Sequence, residues 1–214
     1  MKIQKIAVIG ANGKAGSKIT EEAVRRGMDV TAIVRSDNKT PAGRVLRKDL
    51  FDLTYDDLKG FDTVVDAFGT WAPETLHLHR ESLSHLCRIL GGSPVRLLVV
   101  GGAGCLYLDP SHTSRLMDSP DFPDVFKPVA AATAEAWDEL RGCHDVAWTY
   151  ISPAADFRAD GPRTGTYVLG GEELQTDAAG KSTISYADYA VAVVDEAEKG
   201  AHIRRQISVV SAGA

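Results

Sequence analysis

Residues 8–16 read VIGANGKAG, an apolar run followed by glycines at positions 10, 13 and 16. The reading of this stretch decides the fold. A buried strand that breaks at a glycine and runs on into a helix opens a dinucleotide-binding unit. Gly10 permits the tight turn, Gly13 lets backbone approach a pyrophosphate, and Gly16 lets helix and strand pack closely. The spacing is G-x-x-G-x-x-G rather than G-x-G-x-x-G, but the steric demands are the same. Amides near residues 13–16, at a helix N-terminus, would face the phosphates. Three glycines alone also fit a purely structural turn; here a strand precedes them and a helix follows, the context the nucleotide reading needs.

The pattern continues outward along the chain. IAVIG (6–10), DVTAIV (29–34), VLRKDL (45–50), DTVVDAF (62–68), RLLVVGG (96–102), DVAWTYIS (145–152) and QISVV (206–210) read as strands. Between them lie helical patterns. SKITEEAVRRG (17–27) puts Ile19, Ala23 and Val24 on one face, a second helix runs from about Pro73 to Leu90, and a third is AAATAEAWDELRG (130–142). Ser185-Tyr186-Ala187-Asp188 reads as a capping box opening a further helix, whose apolar face is Ala187, Ala190, Val191 and Val194. Nearly all-apolar strands separated by helices predict an α/β fold. The expected form is a Rossmann-type, doubly wound, mostly parallel sheet with helices on both faces. The expectation is one domain over residues 1–214, with a small substrate-side portion from about 153–186. Within that portion, residues 163–185 predict a hairpin or an irregular loop. Residues 103–127, with Pro110, Pro120 and Pro123, form the long irregular stretch and a candidate lid.

Bulk properties agree. The chain has 214 residues, 44% hydrophobic and 25% charged, enough for one sizeable core. A net charge of −5 argues against a nucleic-acid or anionic membrane partner. No stretch approaches the roughly 20 apolar residues of a membrane span. The apolar part of MKIQKIAVIG is too short for a secretory signal, so the expected location is the cytoplasm. Cys87, Cys105 and Cys143 are far apart and read as reduced, buried thiols.

An NAD site usually places Asp or Glu at the end of the second strand, to bond the ribose 2′-hydroxyl. Here that strand ends Val34-Arg35-Ser36. The Arg35 fork suits a 2′-phosphate, Ser36 adds a hydroxyl, and Lys14 adds a second positive charge. NADP is therefore expected over NAD; Arg35 as an ordinary surface arginine is the alternative.

Taken together, GANGKAG, Arg35, Lys48-Asp49-Leu50, Asp66-Ala67-Phe68-Gly69, VVGGAG (99–104) and TYISPAADF (149–157) resemble the atypical short-chain dehydrogenase/reductase superfamily. The resemblance covers nearly the whole chain. Its branch is the NmrA-like and NADH-flavin-reductase-like group related to biliverdin reductase B, with G-x-R-T-G (161–165) and ISYADYA (184–190) the more specific marks. The resemblance implies that Gly10, Asn12, Gly13, Lys14, Ala15 and Gly16 hold the cofactor. It implies that Asp49 and Leu50 flank the adenine. Ala67, Phe68 and Gly69 would line the cofactor after the fourth strand, as would Val100, Gly101 and Gly102 after the fifth. Pro153 and Ala154 would lie near the nicotinamide.

The superfamily's Tyr-x-x-x-Lys pair, in which lysine lowers the pKa of a tyrosine acid, has no counterpart where it is needed. Tyr55 and Lys59 have the spacing but lie too early and read as a surface helix. The helix after the fifth strand reads PVAAATAEAWDEL. The catalytic residues are left unassigned. His77 and His79, with His85 near, do not share a helix face and are not expected to bind metal; His77 or His79 is a candidate substrate contact. No G-x-S-x-G elbow is present, and nothing marks Cys105 as a nucleophile. Lys127 is a candidate for the ribose or a substrate anion. Trp71, Tyr107, Phe157 and Tyr167 are candidates to stack on a flat substrate such as a flavin or quinone.

The expected function is an NADPH-dependent reductase acting on a small-molecule acceptor of that kind. The alternatives are a non-catalytic NADP redox sensor with a protein partner, and an epimerase or dehydratase on a nucleotide sugar. A homodimer is compatible with each.

Overall fold

The computed structural model describes residues 4–213; residues 1–3, part of the N-terminal stretch read above, and residue 214 lie outside them. β1 (Lys5–Ile9) turns at Gly10 into α1 (Lys14–Arg25). β2 (Asp29–Val34), β3 (Arg44–Arg47), the single-turn α2 (Tyr55–Leu58), β4 (Thr63–Asp66), α3 (Leu78–Leu90), β5 (Arg96–Val100), α4 (Lys127–Arg141) and β6 (Ala147–Ser152) follow. The last part holds β7 (Asp156–Arg158), β8 (Tyr167–Gly170), β9 (Thr183–Ser185), α5 (Tyr186–Lys199) and β10 (Arg205–Ser211). The main sheet runs β3-β2-β1-β4-β5-β6-β10-β8, and only β8 is antiparallel, to β10. The doubly wound fold is therefore present as expected.

The apolar strands bury both of their faces. On one side Ile6, Val8 and Ile207 meet Ile19 and Ala23 of α1 and Val193 of α5. On the other, Ala7, Val64 and Leu97 meet Leu86 of α3 and Trp137 and Leu140 of α4. Each large apolar side chain buried in this way stabilises the fold by roughly 1.5–3 kcal/mol. Among the described residues no helix is long and apolar enough to cross a membrane.

Several boundaries and one motif differ from the sequence reading. α1 starts three residues before Ser17, because Gly13 takes the extended cap conformation (φ −73°, ψ 170°). The helix expected from Pro73 begins at Leu78, after a 3₁₀ turn at Pro73–Thr75. Residues 163–185 form no hairpin: β8 completes the open edge of β10, β9 pairs with β7 in a separate two-stranded sheet, and residues 171–182 between them are irregular, the other expected form. Residues 103–127 carry three 3₁₀ turns and bury Cys105 and Leu106. Only half of the capping box forms. Ser185 accepts the Asp188 N–H (2.9 Å), but the Asp188 carboxylate accepts the Thr164 and Gly165 N–H groups (2.8 Å each) instead. The three thiols are free, but only Cys105 is buried; Cys87, on α3, and Cys143, just past α4, are partly buried.

Candidate functional site

From β1 the chain winds one way to β2 and β3 and the other way to β4, β5 and β6. Ligands in such sheets bind where the winding reverses, at the carboxyl ends of the strands. Here that point lies between Gly10, after β1, and Ala67, after β4. Gly10 has φ +70°, and a Cβ there would lie 2.8 Å from the Ala67 carbonyl oxygen. A Cβ on Gly16 would collide with the Gly10 carbonyl, and one on Gly13 would lie 3.1 Å from the same oxygen. α1 has no side-chain cap and no acidic residue in its first turn, whereas α5 is capped by Ser185. The glycines thus form a cradle with uncommitted helix N–H groups, which fits a pyrophosphate.

Asn12 is occupied otherwise. Its amide donates to the Asp37 carbonyl (2.9 Å) and the Ser36 hydroxyl (3.3 Å), and its oxygen accepts the Lys39 N–H (2.9 Å). It braces the glycine loop against the loop after β2. Lys14 is exposed and Ala15 half-buried on the first turn of α1.

Beyond that brace, Arg35, Arg47, Lys48, Asp49 and Asp52 line a shallow depression. The Arg35 side chain is 78% exposed and only loosely held, 3.8 Å from Asp49. Arg47 was not singled out from the sequence. The register that sets Val34 beside Arg47 brings it to the same edge, and only strand pairing reveals that. Arg47 leans on Asp37 (3.2 Å) and Lys48 on Asp57 (2.7 Å). Asp49 accepts the Phe51 N–H (3.0 Å), and Leu50 is buried beneath.

After β4, Ala67 and Phe68 are half-buried and Gly69 is exposed. Asp66 is 3% exposed and accepts the Phe68 N–H (3.0 Å); burial pushes its carboxyl up to about 7. After β5, Val100 is half-buried and Gly101 lies on the Tyr150 ring, where a Cβ would not fit. The Gly102 N–H donates to the Tyr150 hydroxyl (3.1 Å). Tyr150 therefore supports this segment from below, and burial holds its hydroxyl far above the ordinary tyrosine range. It is no substitute for the missing surface acid. Pro153 and Ala154 close the end of β6 and are buried.

The aromatic candidates do not meet: among the described residues no ring contact joins any two of Trp71, Tyr107, Phe157 and Tyr167. Trp71 is 67% exposed and meets Phe126 edge-on at 6.0 Å. Phe126, on the loop before α4, is a rim residue that the sequence reading missed. Tyr107 stacks on His112 (4.1 Å), Phe157 on Tyr186 (3.7 Å), and the Tyr167 hydroxyl donates to Asp195 (2.9 Å). His77 is exposed, while His79 lies inward with Nε2 on the Thr70 carbonyl (3.0 Å) and burial lowering its pKa. His85 reaches the Leu53 carbonyl (3.0 Å). Among the described residues no His, Cys, Asp or Glu cluster could hold a metal ion. Cys105 donates to the Gly102 carbonyl (3.1 Å), and burial raises its pKa, the opposite of what a nucleophile needs. Lys127 pairs with Asp124 (2.6 Å), and Lys59 pairs with Asp56 (2.8 Å) on the surface.

The NAD(P)H-binding family profile matches residues 10–200 of this chain. The uncharacterized protein YwnB of Bacillus subtilis strain 168 is 48% identical over 210 residues, covering 97% of this chain and 98% of its own length. A crystal structure from Streptococcus pneumoniae TIGR4, of a protein provisionally named an NADH-flavin reductase, is 54% identical. It superposes with a TM-score of 0.95 over 97% of this chain and 99% of that one. A Bacteroides thetaiotaomicron protein provisionally named an epimerase is 35% identical, with a TM-score of 0.85 over 98% of each chain.

Proposed function

This chain belongs to the NAD(P)H-binding family, and we propose that it is a cytoplasmic NADPH-dependent reductase of the atypical short-chain dehydrogenase/reductase superfamily. Its acceptor would be a flat, electron-poor molecule such as a flavin or quinone. One observation carries the reading: the make-up of the carboxyl edge. A glycine cradle and a rim of Arg35, Arg47 and Lys48 lie on the adenosine side. On the other side are aromatic residues, Trp71 and Phe126, without an exposed tyrosine–lysine pair. Arg35 would pair with the 2′-phosphate, α1 and the glycines would hold the pyrophosphate, and residues 67–69 and 100–102 would orient the rest. The bound cofactor supplies a hydride. An acceptor that stabilises its own reduced form needs orientation more than proton donation from the protein. The similarity to the protein named as an NADH-flavin reductase supports that acceptor class. The same lack of an acid supports a second reading, a non-catalytic NADP redox sensor of NmrA type.

Calorimetric titration with NADPH and NADH, repeated on Arg35→Ala, tests the cofactor half. Losing a charge-assisted phosphate contact weakens NADPH by about 1.5–3 kcal/mol and leaves NADH unchanged. Equal affinity of the native protein for both cofactors would remove the NADP assignment. NADPH oxidation with a panel of flavins and quinones tests the acceptor half. Tight binding without turnover on any of them favours the sensor.

A further inference from the structure

Behind the 67–69 turn lies a cavity of about 20 Å³, room for one water. Asp66, Phe68, His79, Ser82, Thr133 and Tyr150 line it. Asp66 ends β4, and its register neighbours on the flanking strands are Ile9 and Val99, both apolar. From α3 it faces His79 and Ser82, from α4 Thr133, and from β6 Tyr150. It accepts the Phe68 N–H, and no basic side chain pairs with it among the described residues. His79, whose pKa burial lowers, has Nε2 on the Thr70 carbonyl, and Tyr150 accepts from Gly102. An ionised Asp66 is thus a buried negative charge without a counter-charge, directly under the turn.

We propose that Asp66 is a positioning residue whose protonation state controls how well the 67–69 turn receives the cofactor. The inference rests on the reading that this turn lines the NAD(P)H site. When Asp66 is protonated, its carbonyl oxygen still holds the Phe68 N–H and the site stays neutral. When it is ionised, a negative charge lies beneath a polyanionic ligand. Burial sets the exchange between these forms near pH 7. Ligand anions favour the protonated form, so binding takes up a proton and affinity falls as pH rises past neutrality.

NADH is the probe, since it lacks the 2′-phosphate that itself titrates near neutrality. Its Kd is measured by calorimetry from about pH 6 to about pH 8.5, in buffers of differing ionisation enthalpy. The native protein loses affinity by up to about tenfold per pH unit above the carboxyl's pKa, with net proton uptake. Asp66→Asn, a neutral isostere that keeps the acceptor for Phe68, holds the low-pH affinity throughout and takes up no proton. Infrared spectroscopy of the native protein gives a readout independent of that variant's folding. A protonated-carboxyl C=O band persists to neutral pH, fades above it, and survives to higher pH with NADH bound. An Asn variant with the native slope, or a native protein without that band at about pH 6, overturns the role of Asp66. If neither NADH nor NADPH binds at any pH, the cofactor reading itself fails.

Discussion

Gly13 and Gly16 separate two demands that a single glycine motif runs together. A methyl on Gly16 meets backbone, the Gly10 carbonyl, with no flexible side chain to give way. Gly16→Ala is therefore expected to push α1 off β1, destabilising the protein by about 1–3 kcal/mol and weakening the cofactor as well. A methyl on Gly13 lies 3.1 Å from the same oxygen, in an exposed position whose φ of −73° any residue tolerates. Gly13→Ala should leave the unfolding free energy within about 0.5 kcal/mol of native but fill the space a phosphate would enter, weakening NADPH about tenfold or more. Paired denaturation and calorimetry read both effects, and native affinity in Gly13→Ala would mean that phosphate does not approach there. The glycines were legible because only a missing Cβ satisfies those positions. The role of Asn12 was not. An asparagine in this loop suits a phosphate or a brace equally, and the choice depends on where residues 36–39 run.

Helices and strands were legible wherever apolar spacing marked a buried face, and their contacts were not. Glu22 on α1 is 3% exposed and accepts two bonds from Arg163 (2.8 and 2.9 Å) and one from Arg26 (3.0 Å). The same 161–165 segment gives its N–H groups to Asp188 of α5. G-x-R-T-G is thus a strap across α1 and α5, yet nothing in its spacing points to a glutamate in the first helix. Arg163 foremost, with Arg26, holds the Glu22 carboxyl below its ordinary value. Such a group adds stability above its unfolded pKa that is lost as pH falls through the folded one. Arg163→Ala should therefore lower unfolding free energy by about 1.5–3 kcal/mol at neutral pH. The deficit should shrink below about pH 4, and Arg163→Lys should recover only part of it because the fork is lost. Urea melts across pH check this, and a deficit independent of pH would assign Arg163 a packing role instead. β8 was illegible for a related reason: Tyr167–Gly170 is a strand only because β10 leaves an edge open.

At the scale of the whole sheet, alternating strands and helices were enough to foresee the winding, because parallel strands buried on both faces have few other arrangements. The winding in turn sets a consequence for stability. The basic rim lies beyond β2 and β3, while residues 67–69 and 100–102 lie on the far side of the reversal. A dinucleotide laid along this edge touches both halves, and those halves adjoin only in the folded chain. The unfolded chain offers no such surface, so binding stabilises the native state by mass action, about 2.7 kcal/mol at a ligand concentration of 100 times Kd. For a chain of this length each kcal/mol raises Tm by about 2–4 °C, so NADPH at that level should raise it by about 5–11 °C. Gly13→Ala at the same NADPH concentration, with affinity cut tenfold, should keep only about half of the increase. Scanning calorimetry at several ligand concentrations distinguishes the case sharply. A Tm that climbs with the logarithm of NADPH concentration in native protein, and lags in the variant, locates the binding energy in the cradle. A Tm indifferent to NADPH would leave the glycine turn as architecture alone.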